Sequence, residues 1–364
     1  MRRMTPLRTL LAVPAMLAIV ACGGSTPTPS ASSTPAVTDV GSGSISGAGS
    51  TFVAPFYNQA FYEYNQKYPN VAVNYQAIGS GGGIKQFTAG TVDFGATDLP
   101  MTSTELAAAG GDAVLVEVPT VLGAVSVAYN LPGVDKLQLD GATLADIYLG
   151  KVKTWNDPEI TALNPGVTLP SKPITVAHRS DGSGTSYAFT DYLAKVSPAW
   201  KSGPGVGKSV SWPVGIGGSG NQAVAQAVQS TEDAIGYVEL AYVIQSHMQQ
   251  AYMKNGAGKF LQASAAGATA AAAGLSNVSA TNFSITNMDG ADAYPIASFS
   301  WVLLKKSYSD AQKTKALVYL FKWLTTDGQT LGNTLDYAPI PSPVQAYALA
   351  QLKLVTAGGT PILK

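Results

Sequence analysis

Two kinds of hydrophobic pattern alternate along most of this chain. Apolar and aromatic residues recur at helical spacing over 54–68 and 311–324, which predicts amphipathic helices there. Short β-prone runs at 71–75, 92–98 and 294–304 predict strands. Strands that alternate with helices in this way indicate an α/β architecture.

The run 114–130 is long and β-prone but is interrupted by Pro119 and Gly123. The pattern allows either two strands or one passage of the chain between two domains. The alanine-rich run 260–275 predicts a helix at the surface.

Glycine-rich junctions precede four of the predicted helices, at 47–52, 79–83, 181–185 and 215–221. Glycine lets successive backbone N–H groups turn toward one point, and a helix start adds further free N–H groups. A phosphate-binding P-loop is excluded because no Gly-Lys-Ser/Thr follows in register, and the glycine spacing does not fit a dinucleotide fingerprint.

The stretch Arg179-Ser-Asp-Gly-Ser-Gly-Thr-Ser186 concentrates the candidate chemistry. It combines one guanidinium, one carboxylate, four hydroxyls and two glycines directly before a predicted helix. These groups suit a small oxyanion. An ordinary N-capped loop fits the same residues, so the stretch alone leaves both interpretations open.

Composition narrows the class of protein. The chain has 364 residues, of which 46% are hydrophobic and 12% charged, and 22 basic residues balance 22 acidic ones. This balance argues against a nucleic-acid-binding protein, which normally carries a basic excess. Two histidines and one cysteine make a His/Cys zinc site improbable and a disulfide within the chain impossible.

The N-terminus predicts export. Arginines at positions 2, 3 and 8 precede a short apolar run, 10–21, and the sequence then reads Ala21-Cys22-Gly23. This resembles a bacterial lipobox, so we predict a signal peptide over 1–21 and lipidation of Cys22, with a plain secretory signal as the alternative. The Ser/Thr/Pro/Gly-rich segment that follows predicts a disordered tether over 22–43.

Four segments together resemble one protein family. They are Gly47-Ala-Gly-Ser-Thr-Phe52, Gly79-Ser-Gly-Gly-Gly83, Asp93-Phe-Gly-Ala-Thr-Asp98 and Arg179-Ser-Asp-Gly-Ser-Gly-Thr185. Together they are similar to the phosphate-binding proteins of bacterial high-affinity phosphate ABC importers. The resemblance covers nearly all of the chain after the tether.

The resemblance implies an α/β, two-domain, periplasmic-binding-protein-like fold with the ligand in a cleft between the domains. We place the crossings of the chain near 120–124 and 293–296. Domain I would then comprise 44–122 plus 294–364, and domain II would comprise 123–293.

The resemblance also implies the ligand contacts, carried over position by position. The phosphate contacts would be Thr51, Phe52 (backbone N–H), Ser80, Asp98, Arg179, Ser183, Gly184 (backbone N–H) and Thr185. Asp181 matches the residue that pairs with the arginine. His178 matches no ligand position, and Gly81 stands where some relatives carry a second serine.

Asp98 is the residue in this set that bears on which anion is bound, because a carboxylate repels an anion that carries no proton. It is useful if it accepts the proton that phosphate still carries near neutral pH, and sulfate has no such proton. Taken alone, Thr51 would be better interpreted as a helix-capping hydroxyl, and Asp98 could equally be a turn or capping residue.

The resemblance implies inorganic phosphate as the ligand, a membrane ABC permease as the partner and a lipid anchor in the membrane. It implies a monomer without cofactor, metal or catalytic residues, in the periplasm or on the outer face of the cell membrane. Three alternatives remain: a hydrolase using the elbow-like 184–188 with His178 or His247, a receptor for another oxyanion, and an adhesive surface lipoprotein.

Overall fold

A mixed β-sheet organises the molecule, with helices packed around it. The computed structural model describes residues 39–364, so the predicted signal peptide, Cys22 and most of the predicted tether lie outside the described residues. Val40 is buried and a strand begins at Gly43. The tether was therefore predicted too long at its C-terminal end, because an apolar side chain anchors position 40 in the core.

The strands are β1 (Gly43–Gly49), β2 (Val71–Ala77), β3 (Phe94–Thr97), β4 (Leu115–Asn130), β5 (Gln138–Leu139), β6 (Thr175–Arg179), β7 (Ile216–Gly218), β8 (Ala234–Glu239), β9 (Gln249–Gln250), β10 (Tyr252–Lys254), β11 (Phe260–Leu261), β12 (Ala297–Lys305), β13 (Ser307–Tyr308), β14 (Thr356–Ala357) and β15 (Thr360–Pro361). In the part of the chain that the structure describes, the main sheet has the order β2-β1-β3-β12-β4-β8-β6-β7, with β9 also paired to β4.

The helices are α1 (Ala54–Lys67), α2 (Ser80–Thr88), α3 (Ser103–Ala108), α4 (Gly141–Tyr148), α5 (Pro158–Leu163), α6 (Gly184–Val196), α7 (Pro198–Ser202), α8 (Gly220–Ser230), α9 (Leu240–Gln245), α10 (Ala265–Ala273), α11 (Ala311–Thr325) and α12 (Ser342–Leu352), with a 3-10 helix at Asp327–Thr334. Each of the four glycine-rich junctions leads into a helix, as the sequence predicts: α1, α2, α6 and α8.

Strand β4 resolves the ambiguity of the 114–130 run, because it is one continuous strand. It pairs antiparallel with β12 up to Ala124 and antiparallel with β8 from Val125 onward. Pro119 is accommodated opposite Trp301, where the register shifts. A proline lacks the N–H needed for a regular ladder, and such an irregularity is where it is tolerated.

The change of partner along β4 divides the sheet into two halves. The first half contains β1, β2, β3, β12 and the N-terminal part of β4; the second half contains β6, β7, β8 and the C-terminal part of β4. The backbone N–H of Val125 donates to the carbonyl of Ile296, just before β12 begins. Both passages between the halves are therefore adjacent. The exact domain boundaries stay a prediction.

Aromatic side chains fill the core of each half. In the first half, Phe61, Phe94 and Phe321 meet edge to face, as ring quadrupoles favour. In the second half, Phe189 stacks on Tyr237 with ring centroids 4.2 Å apart. Burying such a side chain contributes about 1.5–3 kcal/mol, so these clusters hold the strand ends in place.

The alanine-rich 260–275 segment differs in part from its prediction. It forms a short strand, β11, followed by the helix α10, and Ala268, Ala271 and Ala272 are buried. Alanine side chains are small enough for one face of this helix to pack closely on the sheet, while Ala266, Thr269 and Ala273 on the other face are exposed, as predicted for a surface helix. None of the helices within residues 39–364 combines the length and the apolar character needed to span a bilayer.

Candidate functional site

The predicted site residues come from both halves and are brought together where β1, β3 and β6 end and α2 and α6 begin. All of them are buried: Thr51, Phe52, Ser80, Asp98, Arg179, Ser183, Gly184 and Thr185. Parallel strands β1 and β3 are neighbours, and so are β6 and β8, so their carboxyl ends deliver these loops to one place. Ligands of open α/β sheets bind at such strand ends.

Asp98 lies beneath a set of serine hydroxyls. Ser50 Oγ lies 2.6 Å from both carboxylate oxygens, Ser80 Oγ donates to Oδ2 at 3.2 Å, and Ser300 Oγ donates to Oδ1 at 2.5 Å. The helix after Asp98 is capped instead by Thr102, whose side chain forms a capping box with Glu105. Asp98 is therefore not a helix cap.

These surroundings change the acidity of Asp98. Burial raises the pKa of Asp98 to about 6, although the hydroxyls of Ser300 and Ser50 and the charge of Arg179 lower it. A carboxylate offers about four acceptor positions, and the three serine hydroxyls supply three protons to them, because the single proton of Ser50 is shared between the two oxygens. One acceptor position on Asp98 therefore remains for a further donor.

Arg179 and Asp181 form a two-pronged ion pair. Arg179 Nε donates to Asp181 Oδ1 at 2.7 Å and Nη2 donates to Oδ2 at 2.5 Å, in the fork geometry that suits a carboxylate. Burial tends to raise the pKa of Asp181, but the bonds from Arg179 outweigh it and hold the pKa below its ordinary value. The pair matches the role assigned to Asp181 from the sequence.

Further groups hold Arg179 in place. Its backbone N–H donates to the hydroxyl of Tyr237, and its Nη1 donates to Thr185 Oγ1 at 3.3 Å. The ring of the preceding residue, His178, stacks on Trp212 with centroids 4.8 Å apart. His178 thus packs with the aromatic cluster of the second half, and its Nδ1 lies 3.0 Å from the carbonyl oxygen of Arg179.

Two of the predicted backbone donors have partners within the protein. The N–H of Phe52 donates to Ser50 Oγ at 2.9 Å, and the N–H of Gly184 donates to Ser80 Oγ at 3.1 Å. Both serines also bond to Asp98, so the amides and the carboxylate belong to one network. Ser183 caps α6 by accepting from the N–H of Ser186.

Glycine is required where the halves approach most closely. A Cβ atom at Gly184 would lie 2.4 Å from Asp98 Oδ2, and one at Gly79 would lie 2.2 Å from Asp181 Oδ2. The N–H of Gly81 donates to the carbonyl of Gly182 at 2.8 Å. A serine at position 81 would have its Cβ 3.2 Å from Gly182 Cα, which fits the smaller residue found here.

Three residues of this network were not among the predicted contacts. Ser50 was only part of a glycine-rich motif, and Ser300 lies on β12, about 200 positions from Asp98. Asn221 lies in the first turn of α8, after the fourth glycine-rich junction, and is fully buried. The signal that could have found Asn221 is that fourth junction, since the other three carry predicted ligands.

An ion pair joins the two halves beside this network. Lys208 Nζ lies 2.5 Å from Glu105 Oε2, and both side chains are mostly buried. Glu105 belongs to α3, after β3, whereas the carbonyl of Lys208 accepts from the N–H of Ser183 at the start of α6. Within residues 39–364, no group of three or more His, Cys, Asp or Glu side chains is arranged to hold a metal ion.

Comparison with known proteins agrees with this geometry. Residues 29–327 match the PBP superfamily domain. The chain is 44% identical to the phosphate-binding protein PstS of Xylella fastidiosa (strain 9a5c), a match that covers 91% of this chain and 90% of that protein. It is 43% identical to the PstS of Haemophilus influenzae, covering 85% of this chain and 92% of that protein.

Solved structures show the same fold at lower identity. A high-affinity periplasmic phosphate-binding protein with bound phosphate has a TM-score of 0.70 at 21% identity, covering 85% of this chain and 93% of that one. The phosphate-binding protein of Stenotrophomonas maltophilia has a TM-score of 0.65 at 19% identity, covering 85% and 94%. The predicted two-domain, periplasmic-binding-protein-like α/β fold is therefore confirmed. The chain belongs to the PstS family of phosphate-binding proteins.

Proposed function

We propose that this protein binds inorganic phosphate between its two halves and delivers it to an ABC-type permease in the membrane. One observation carries the proposal. Hydroxyl, guanidinium and backbone N–H donors from both halves meet at one place, and beside them Asp98 keeps one acceptor position for a donor on the ligand. The relatives named as phosphate-binding proteins and the family membership support it.

The donors suit a tetrahedral oxyanion. We assign phosphate contacts to Thr51, Phe52 N–H, Ser80, Asp98, Arg179, Ser183, Gly184 N–H and Thr185, with Asp181 orienting the guanidinium. One guanidinium and two carboxylates leave no positive excess, so oriented dipoles rather than net charge would hold the anion. The N–H groups of Phe52 and Gly184 would then turn from the serine hydroxyls to phosphate oxygens.

Asp98 gives the proposal its specificity. Near neutral pH phosphate retains a proton, and the free acceptor position on an ionised Asp98 would take that hydrogen bond. Sulfate would place a lone pair there instead. A site built to hydrogen-bond one partner can reject its competitor by roughly 10⁴–10⁵-fold. This favours phosphate over other oxyanions.

The alternatives fit the contacts less well. The elbow-like Ser186 has its hydroxyl 2.6 Å from the hydroxyl of Tyr237, and His178 stacks on Trp212. Neither arrangement gives a nucleophile with an adjacent base, so we assign no catalytic step. A purely adhesive role would not account for the buried hydrogen-bond network around Asp98 and Arg179.

The N-terminal sequence supports the rest of the proposal. We assign a signal peptide to 1–21, lipidation to Cys22 and a tether to the residues after it, which places a monomeric receptor outside the cytoplasm on a lipid anchor. Domain I, 44–122 plus 294–364, and domain II, 123–293, would close on the ligand, since a ligand favours the state it binds better.

Calorimetry tests the proposal directly. The protein without its proposed signal peptide is first freed of bound phosphate. It is then titrated with phosphate and, separately, with sulfate near pH 7.5. We expect tight phosphate binding and no heat from sulfate. Equal binding of both anions would remove the Asp98 mechanism, and binding of neither would refute the function.

A further inference from the structure

The side chain of Asn221 links the two halves at the centre of the site. Its Nδ2 donates to Thr51 Oγ1 in the first half and to Thr185 Oγ1 in the second half, both at 3.0 Å. Its backbone N–H also donates to Thr51 Oγ1, at 3.2 Å. Asn221 is fully buried, so water does not compete for these hydrogen bonds.

A backbone contact fixes the orientation of this amide. Asn221 Oδ1 accepts from the N–H of Glu239 at 3.0 Å. If the amide were rotated by half a turn, its NH₂ group would face that N–H, and its oxygen would face the threonines. The backbone donor therefore makes Asn221 present both of its N–H groups to the two hydroxyls.

The contacts determine what the two hydroxyls can do. A threonine oxygen has two lone pairs and one proton. Thr51 Oγ1 accepts from the backbone N–H and Nδ2 of Asn221, and Thr185 Oγ1 accepts from Asn221 Nδ2 and Arg179 Nη1. With both lone pairs in use, each hydroxyl is left with its proton alone.

We propose that Asn221 is a positioning residue that makes Thr51 and Thr185 obligate hydrogen-bond donors to the bound oxyanion. This inference rests on the proposed function. A free threonine hydroxyl can donate or accept, and only the donating orientation attracts a phosphate oxygen. A hydroxyl that already accepts hydrogen bonds is also a stronger donor, because polarisation passes along the chain of bonds.

The same contacts couple ligand binding to the arrangement of the halves. Tyr242, on α9 of the second half, donates its hydroxyl to the carbonyl of Thr51 at 2.6 Å. Tyr242 and Asn221 together bind the carbonyl and the hydroxyl of Thr51 from the second half. Thr51 thus becomes a fixed donor only while the two halves are in contact.

A mutant cycle distinguishes this role from simple packing. Asn221→Ala is measured in the native protein and in a Thr51→Val/Thr185→Val background, by calorimetric titration with inorganic phosphate. In the native background we expect a loss of affinity of about tenfold or more, the usual cost of a lost hydrogen bond near a charged group. In the valine background, where no hydroxyl remains to be oriented, we expect less than about threefold.

Two further variants complete the design. Asn221→Asp keeps the size but replaces the donor by an acceptor, so the hydroxyl protons would turn away from the anion, and we expect a larger loss than for Asn221→Ala. Gln222→Asp, at the exposed next position on α8, introduces the same charge and should leave affinity unchanged. Circular dichroism and thermal unfolding establish that each variant folds.

The outcomes separate the inference from the function. Equal losses from Asn221→Ala in both backgrounds, or Asn221→Asp binding as well as the native protein, would overturn the positioning role while leaving phosphate binding intact. Failure of the unmodified protein to bind phosphate would refute the proposed function, and the inference with it.

Discussion

The two ends of the candidate site each hold an aspartate, fully buried for Asp98 and partly buried for Asp181, yet the two carboxyl groups have different neighbours. Asp181 has a guanidinium against it, and its pKa lies below the ordinary value. Asp98 has serine hydroxyls around it, and burial raises its pKa to about 6. The comparison shows that the neighbours, not the residue type, decide which group stays charged and which can exchange a proton near neutral pH.

The Asp98 end is tested most severely by Asp98→Asn. An amide can donate to a sulfate oxygen, so discrimination between phosphate and sulfate should fall by roughly a thousandfold or more. Calorimetric titration of both anions near pH 7.5 measures it. Unchanged discrimination would mean that Asp98 does not read the proton of the ligand.

The Arg179 end is tested by Arg179→Met. This change removes the guanidinium and leaves the partly buried Asp181 carboxylate without its charged partner, which is unfavourable away from bulk water. We expect phosphate affinity to fall on the order of 10²–10³-fold by the same titration.

Adding Asp181→Asn provides the control for the Arg179 variant. The double variant no longer has an unpaired carboxylate, so it should recover part of the lost affinity. If Arg179→Met binds phosphate within about threefold of the native protein, the ion-pair end does not hold the anion.

The raised pKa of Asp98 predicts a pH dependence of folding without phosphate. The folded state holds this proton more tightly than the unfolded state, whose ordinary value is 3.8. The resulting stabilisation is present in full below the unfolded pKa and is lost as pH rises through about 6. Between pH 5 and pH 8 the loss is on the order of 1 kcal/mol.

Chemical denaturation of the native protein and Asp98→Asn at both pH values measures this term by difference. The difference matters because burial also raises the pKa of Glu117 to about 7, so other groups contribute to the total slope. A difference between the two proteins that does not change with pH would show that Asp98 is already ionised at pH 5.

The smallest expected effect comes from the ion pair between the halves, outside both ends of the site. Lys208→Met leaves Glu105 without its cationic partner. Because the Glu105 side chain is 26% exposed and keeps its hydrogen bonds from Thr102, we expect the change to cost only about 1 kcal/mol, the upper end for exposed pairs. Phosphate should dissociate about two- to fivefold faster in stopped-flow measurements, with less dependence on salt. Lys151→Met breaks a pair with Asp146 within the second half and serves as the control.

Much of this arrangement could be predicted from the sequence, because it is encoded locally. Glycine-rich junctions before helices α1, α2, α6 and α8 mark where backbone donors gather, and Arg179 and Asp181 are two positions apart. The alternation of patterns likewise predicted the α/β class.

What could not be predicted depends on contacts between distant segments. Ser300 reaches Asp98 because β12 pairs with β3 next to it, and nothing in the local sequence of Ser300 indicates that pairing. Asn221 meets Thr51 only because the two halves come together. Strand β4 is continuous because it pairs first with β12 and then with β8, and the local sequence of 115–130 does not indicate either partner.

The unbroken course of β4 gives the molecule a hinge point between its two halves. Because β4 passes unbroken from one half of the sheet to the other, any rotation of one half against the other pivots near Ala124 and Val125. Displacement in a rotation grows with distance from the pivot, so groups beside these two residues would shift less than groups farther along either half. A strand shared by both halves in this way suits the proposed function, in which ligand bound between the halves would favour one arrangement of them over another.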